Sequence, residues 1–147
     1  MKSLFSLLAA VCFTTFLAAQ NEPVTWHFEL EKIDATTYDL TATAEIDNGW
    51  YVYSQYTEEG GPIPTSFTFE NVPAPEHRAK EHGPERKEGM DELFGINVIK
   101  FGQKMTVRQR LTVAEGVASV KGTVTYMTCN DETCLPPKDV TFDVAVR

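Results

Sequence analysis

Two cysteines near the end of the chain, in Thr128-Cys129-Asn130-Asp131-Glu132-Thr133-Cys134-Leu135-Pro136-Pro137, are the residues best suited to chemistry. The third cysteine, Cys12, falls in an apolar amino-terminal stretch that reads as a removable segment. The remaining pair then has no competing thiol. Two cysteines with four residues between them can close a disulfide if their β-carbons face each other. Closing so short a loop restricts the unfolded chain little, worth about 2 to 2.5 kcal/mol. A bond whose task is to hold a domain together would join distant strands. The spacing therefore favours exchange chemistry over a staple, and both readings stay open.

The neighbours of the pair narrow the chemistry. Asp131 and Glu132 disfavour a nearby thiolate by like charge, which suits a reactivity that depends on a docked partner. The spacing is not Cys-x-x-Cys. Pro136 and Pro137 forbid a helix after the pair, so no helix amino terminus is there to stabilise a thiolate, and a simple thioredoxin-type active site is excluded. A copper or zinc site would need a histidine from His27, His77 or His82, and none of them has ligand-like spacing to the cysteines. His27 is out of phase with Trp26 and Phe28, as a solvated strand residue would be. No metal and no cofactor is called for. Ser54 and Ser66 lack the glycine pattern of a nucleophile elbow, and the adjacent Asp91 and Glu92 would need other groups to act as acid and base.

The elements that must position the pair read as β-strands. Residues 24–33 (VTWHFELEKI) alternate through Val24, Trp26, Phe28 and Leu30, and residues 38–46 through Tyr38, Leu40, Ala42, Ala44 and Ile46. Further strands are expected at 50–56, 65–69, 96–101, 105–113, 118–127 and 140–146, with the seventh delivering Cys129 at its end. Residues 71–91 are rich in Pro, Glu, Lys and Gly and read as a loop with room for an edge strand. Seven or eight short strands without helical periodicity predict an all-β fold, an immunoglobulin-like β-sandwich, with a small barrel as the alternative.

The amino terminus reads as a secretory signal: Lys2, an apolar run over residues 4–18, then Ala18 and Ala19. The run is short for a membrane span. Cleavage after Ala19 leaves a single domain, residues 20–147, with no membrane span. Export, to the periplasm or beyond, puts the cysteines where a disulfide persists. With 21 acidic and 13 basic residues the chain carries a net charge of −8, and without Lys2 it carries −9. Such a surface excludes nucleic acid as a partner.

Three segments, in order, resemble the amino-terminal periplasmic (alpha) domain of the thiol:disulfide interchange protein DsbD. They are Val124-Thr125-Tyr126-Met127-Thr128-Cys129 through Cys134-Leu135-Pro136-Pro137, then Asp47-Asn48-Gly49-Trp50-Tyr51-Val52-Tyr53-Ser54, and Asp91-Glu92-Leu93-Phe94-Gly95. The resemblance implies an immunoglobulin-like sandwich in which Cys129 and Cys134 switch between disulfide and dithiol. Cys134 is then the cysteine that bridges to partners. Asp91, Glu92, Leu93, Phe94 and Gly95 form a cap over the pair, with Leu93 or Phe94 as the apolar lid, and Tyr51 and Tyr53 pack nearby. The implied partners are thioredoxin-like periplasmic proteins and a membrane electron donor. Four residues separate the cysteines here, against five in the best-known members. The rival reading is a non-catalytic immunoglobulin-like binding module with a structural disulfide.

Overall fold

The computed structural model describes residues 22–147; the expected export signal and Cys12 lie outside the described residues. Eleven strands run in the order β1 (Val24–Lys32), β2 (Thr37–Ile46), β3 (Tyr51–Tyr53), β4 (Ser66–Phe69), β5 (Lys80–His82), β6 (Glu85–Asp91), β7 (Ile96–Gly102), β8 (Lys104–Thr112), β9 (Ser119–Tyr126), β10 (Thr128–Cys129) and β11 (Lys138–Ala145). They pair antiparallel in three sheets, ordered β1-β2-β8-β5, β10-β3-β7-β6 and β11-β9-β4. The fold is the expected all-β, immunoglobulin-like class. Among the described residues no helix is long and apolar enough to cross a membrane.

The alternation of the first two strands builds the main core. Val24, Trp26, Leu40, Ala42, Ala44 and Ile46 are buried on one face of the first sheet, joined by Met105 and Val107 of β8. In this register Trp26 stands opposite Ala44, and the small side chains of Ala42 and Ala44 leave room for its ring. That ring meets Phe67 and Tyr126 edge-on, at centroid distances of 6.1 and 5.6 Å. The apolar face packs at one end on Val52 and Phe101 of the second sheet. At the other end, Tyr38, Leu40 and Leu111 pack on Val120 and Phe142 of the third.

The structure departs from the expected strands in three places, each for a local reason. Residues 80–91, read as loop with room for an edge strand, hold two edge strands, β5 and β6. β6, with the sequence ERKEGMD, is mostly exposed and pairs only with β7, so it carries no apolar alternation to read. Its alternating lysine, arginine and glutamate side chains suit a solvent-facing edge. The strand expected over 118–127 breaks at Met127: β9 belongs to the third sheet and β10 to the second. β3 stops at Tyr53 because the fully buried Ser54 turns the chain: its hydroxyl donates to the Glu81 carboxylate, and its oxygen accepts from the Tyr56 N–H at 2.9 Å. The other Glu81 oxygen accepts from the Gln55 N–H at 2.8 Å, so the turn is tied to β5.

One buried charge sits in this framework. Asp39 of β2 is opposite Arg110 of β8 and accepts two hydrogen bonds from its guanidinium, at 2.8 and 3.0 Å. Those bonds, then the Arg110 charge, hold the Asp39 carboxyl below the usual carboxylate range against the opposing effect of burial. A depressed folded pKa stabilises the fold above the unfolded value, and that contribution is lost as pH falls through the lower, folded value. Asp39→Asn is expected to cost about 1–2 kcal/mol at neutral pH, since Arg110 is itself largely exposed. In urea titrations the difference from the parent should shrink in acid, once the parent carboxyl is protonated; a pH-independent difference would refute the ion pair as the cause.

Candidate redox site

Met127 is where the chain leaves the third sheet, and it delivers Cys129 to the edge of the second. There Thr128 pairs with Val52 and Cys129 with Tyr51. The Thr128 hydroxyl donates to the Tyr51 carbonyl at 2.7 Å, fixing this short strand to β3. The chain then folds back as a tight hairpin. Asn130 N–H donates to the Thr133 carbonyl and Leu135 N–H to the Thr128 carbonyl, both at 2.9 Å. These two bonds bracket Cys129 and Cys134 as a directly opposed, non-hydrogen-bonded pair. In that arrangement side chains approach most closely; the α-carbons are 4.0 Å apart and the sulfurs are bonded.

Asn130 shapes the turn, and the spacing argument did not single it out. Its side-chain oxygen accepts from the Glu132 and Thr133 N–H groups, at 2.9 and 2.7 Å. This Asx turn leaves Asp131 and Glu132 exposed at the tip. The signal was present in the sequence as an asparagine opening a short polar loop. Asn130→Ala should cost about 1 kcal/mol and speed hydrogen exchange at the Glu132 and Thr133 amides severalfold. Unchanged exchange there would mean the loop is held by the disulfide alone.

Side chains of opposed residues in a sheet share a face, and alternate residues share it along a strand. Cys129 therefore shares a face with Tyr51 and Tyr53 of β3, Ile96, Val98 and Lys100 of β7, and Glu85, Lys87 and Asp91 of β6. Val52 and Phe101 point the other way, into the main core. The disulfide is thus separated from the main core by the thickness of a sheet. It sits in a small apolar cluster of Cys129, Tyr53 and Val98, with Ile96, Met127 and Cys134 packed on it. Cys129 is 4% exposed, while Cys134 is only half-buried.

The expected surround divides on inspection. Tyr53 is buried against Cys129, and burial, reinforced by the negative charge of Asp91, pushes its phenol up to about 12, so it stays protonated. Tyr51 is half-buried. Its hydroxyl accepts from the Lys87 ammonium at 2.6 Å and donates to Glu85 at 3.3 Å, and Lys87 and Lys100 lie 4.5 and 4.9 Å from its ring centroid. The bonds from Tyr51 and Glu85 raise Lys87 to about 12. Asp91 ends β6 and organises the following turn, accepting from the Leu93 N–H at 3.0 Å and facing Lys100 at 3.9 Å. Gly95 closes that turn at φ 70°, a conformation glycine adopts without penalty. Glu92 is exposed, and Leu93 is 78% exposed and stands in solvent. Phe94 is half-buried beside Gly61, where an added β-carbon would lie 3.1 Å from its own. Ile96 and Met127, which the sequence did not single out, pack on the cluster that holds the pair.

His27, His77 and His82 are all exposed. Among the described residues, no group of three or more His, Cys, Asp or Glu side chains is placed to hold a metal ion.

Comparisons with known proteins agree with this fold. The solved N-terminal periplasmic domain of ScsB from Proteus mirabilis superposes with a TM-score of 0.65 at 16% identity, over 86% of this chain and 48% of that one. This chain thus spans about half the length of that relative. The reduced N-terminal domain of Neisseria meningitidis DsbD gives a TM-score of 0.53 at 21% identity, over 82% of this chain and 85% of that one. A complex between the DsbD and PilB N-terminal domains of the same species gives 0.52 at 19%, over 80% of each chain. No curated protein matches the sequence. The family model described as thiol:disulfide interchange protein DsbD, N-terminal, matches residues 17–146. With the model spanning nearly the whole chain, and a cysteine pair closed at one sheet edge, the protein belongs to the DsbD N-terminal domain family.

Proposed function

We propose that this periplasmic module passes electron pairs between a membrane or thioredoxin-like donor and thioredoxin-like acceptors through Cys129 and Cys134. The observation that carries the reading is the unequal exposure of the two cysteines. Cys134 is half-open at the sheet edge, while Cys129 is sealed beneath Tyr53, Val98 and Ile96. A donor thiolate attacks the Cys134 sulfur, and the Cys129–Cys134 bond breaks. Cys129 leaves with the bonding electron pair and takes up a proton. The donor's second thiol, as thiolate, then attacks the mixed disulfide and releases Cys134 reduced. The reverse sequence hands two electrons and two protons to the acceptor.

The half-buried position serves this exchange in two ways. Burial shields Cys129 from solvent thiols, whereas the more open Cys134 admits attack by a docked partner. Asp91, Glu92, Leu93, Phe94 and Gly95 act as the cap of the pair, with Leu93 or Phe94 as its apolar lid. Tyr51 and Tyr53 hold the floor of the site.

The test is the reduction potential of the pair, by equilibration in thiol redox buffers with mass-spectrometric readout. A value between roughly −120 and −270 mV is expected. A value below about −300 mV would make the bond structural and favour the binding-module reading.

A further inference from the structure

The loop over residues 58–64 has no part in the exchange step, yet its contacts place it on the face of the second sheet that carries the disulfide. Both its ends are fixed to that sheet. At its start the buried Thr57 hydroxyl donates to the Ile99 carbonyl at 2.8 Å and accepts from the Ile99 N–H at 3.1 Å. At its end the buried Thr65 donates to the Tyr53 carbonyl, through its N–H at 3.3 Å and through its hydroxyl. Between these anchors the chain is closely packed. Gly61 passes so near β7 and the turn after β6 that an added β-carbon would lie 2.7 Å from Ile96 Cδ1 and 3.1 Å from Phe94 Cβ. Pro62 is fully buried, and Pro62 and Pro64 fix a backbone angle on either side of Ile63. The Ile63 N–H donates to the Met127 sulfur at 3.4 Å.

Met127 ties this loop to the cysteines. It packs, with Cys134, on the cluster of Tyr53, Val98 and Cys129. It stands two residues before Cys129, so their α-carbons are within about 7 Å of each other. Those of Cys129 and Cys134 are 4.0 Å apart. Ile63 itself is 43% exposed, although its neighbours on both sides are buried or half-buried. A scattered exposed aliphatic residue is ordinary. This one is held between two prolines at the border of the redox cluster, so covering it orders little of the chain.

We infer that Ile63 is a docking contact for the thioredoxin-like partner, meeting an apolar group beside that partner's reactive cysteine. The occupant follows from the chemistry. To exchange, a partner sulfur must come within bonding distance of Cys134, which brings the two cysteine α-carbons to about 4–7 Å. A folded partner so placed covers more than one residue: even the small interfaces of redox encounters bury on the order of 500 Å² a side. The surround of Cys134 is then inside the interface, and Ile63 supplies it with an apolar contact independent of the cap turn. This contact rests on the exchange reading above.

The test is the rate at which reduced thioredoxin opens the Cys129–Cys134 bond, with dithiothreitol as a control for the bond's intrinsic reactivity. Both are followed by acid quench, alkylation and intact mass. The thioredoxin thiolate attacks Cys134, and Cys129 leaves with the bonding electron pair and is protonated. The second thioredoxin thiol then releases Cys134, so the thioredoxin dithiol becomes a disulfide. Ile63→Asp should slow thioredoxin about fivefold or more and leave the dithiothreitol rate within about twofold. Ile63→Leu, which keeps the apolar contact, should react as the parent does. Ile33→Asp changes an aliphatic residue of similar exposure, 46%, just past β1, and should leave both rates unchanged. An Ile63→Asp variant that reacts with thioredoxin like the parent would overturn the contact and leave exchange intact. So would an equal slowing of both reductants, or an equal effect of Ile33→Asp. A parent bond that dithiothreitol opens and thioredoxin does not would remove the contact too, and one that neither opens would sink the exchange reading with it. A dimer seen by sedimentation and dissolved by Ile63→Asp would give this face to a second copy of the chain instead.

Discussion

Cys129→Ser will capture a thioredoxin-like partner as a lasting mixed disulfide, and Cys134→Ser will capture at least about tenfold less. The asymmetry follows from the hairpin. Serine at position 129 removes the resolving thiol, so a bond formed by the half-open Cys134 has nothing to release it. Serine at position 134 leaves only Cys129, sealed against Tyr53 and Val98, where a partner's sulfur cannot approach in line. Either variant should abolish turnover between a reduced thioredoxin-like donor and an oxidised acceptor. The measurement is non-reducing electrophoresis and intact mass after incubation with an activated partner disulfide. Equal capture by both variants would remove the case for Cys134 as the bridging sulfur. Capture by Cys134→Ser alone would invert the roles.

The second large effect is on stability. Phe101→Ala is expected to cost about 3–5 kcal/mol and to lower the melting temperature by about 10–20 °C. Phe101 is fully buried, and it lies on the core face of the strand whose other face carries Val98 against the disulfide. Deleting its ring opens a cavity between the first two sheets beside Val52 and Met105. Val52 is bound in register to both Phe101 and Thr128, so the loss should also loosen the support of the cysteine hairpin. Scanning calorimetry reads the first consequence. Faster opening of the bond by dithiothreitol, at a temperature where the variant is still folded, reads the second. A variant that melts with the parent would show that the two sheets close over the gap.

Much of this fold is legible in the sequence. The alternation through Tyr38, Leu40, Ala42, Ala44 and Ile46 survives residue for residue as the buried face of β2, because a strand with one wet side must write its burial with period two. The cysteine pair was legible for a different reason: only a close approach makes a pair of otherwise isolated thiols useful, and chain spacing bounds that approach. β6 was legible only as room for an edge strand, because an edge held by backbone hydrogen bonds leaves little mark on side-chain type. The break at Met127 was hidden for a related reason. Val120, Val124, Tyr126 and Thr128 keep one continuous burial parity while the chain changes sheets.

The sequence by itself determined the β class, the exported character expected of the chain, the cysteine pair proposed to carry the chemistry and the family signature. All of these are written in local pattern: period, spacing, punctuation by proline and glycine. Only the tertiary structure decided which cysteine is the more open, which face of which sheet the pair occupies, and that Ile96 and Met127 pack on its cluster while Leu93 stands in solvent. Exposure is a property of what other strands lay across a residue. It depends on pairings between positions far apart in the chain, such as Cys129 with Tyr51, and no local pattern can state them.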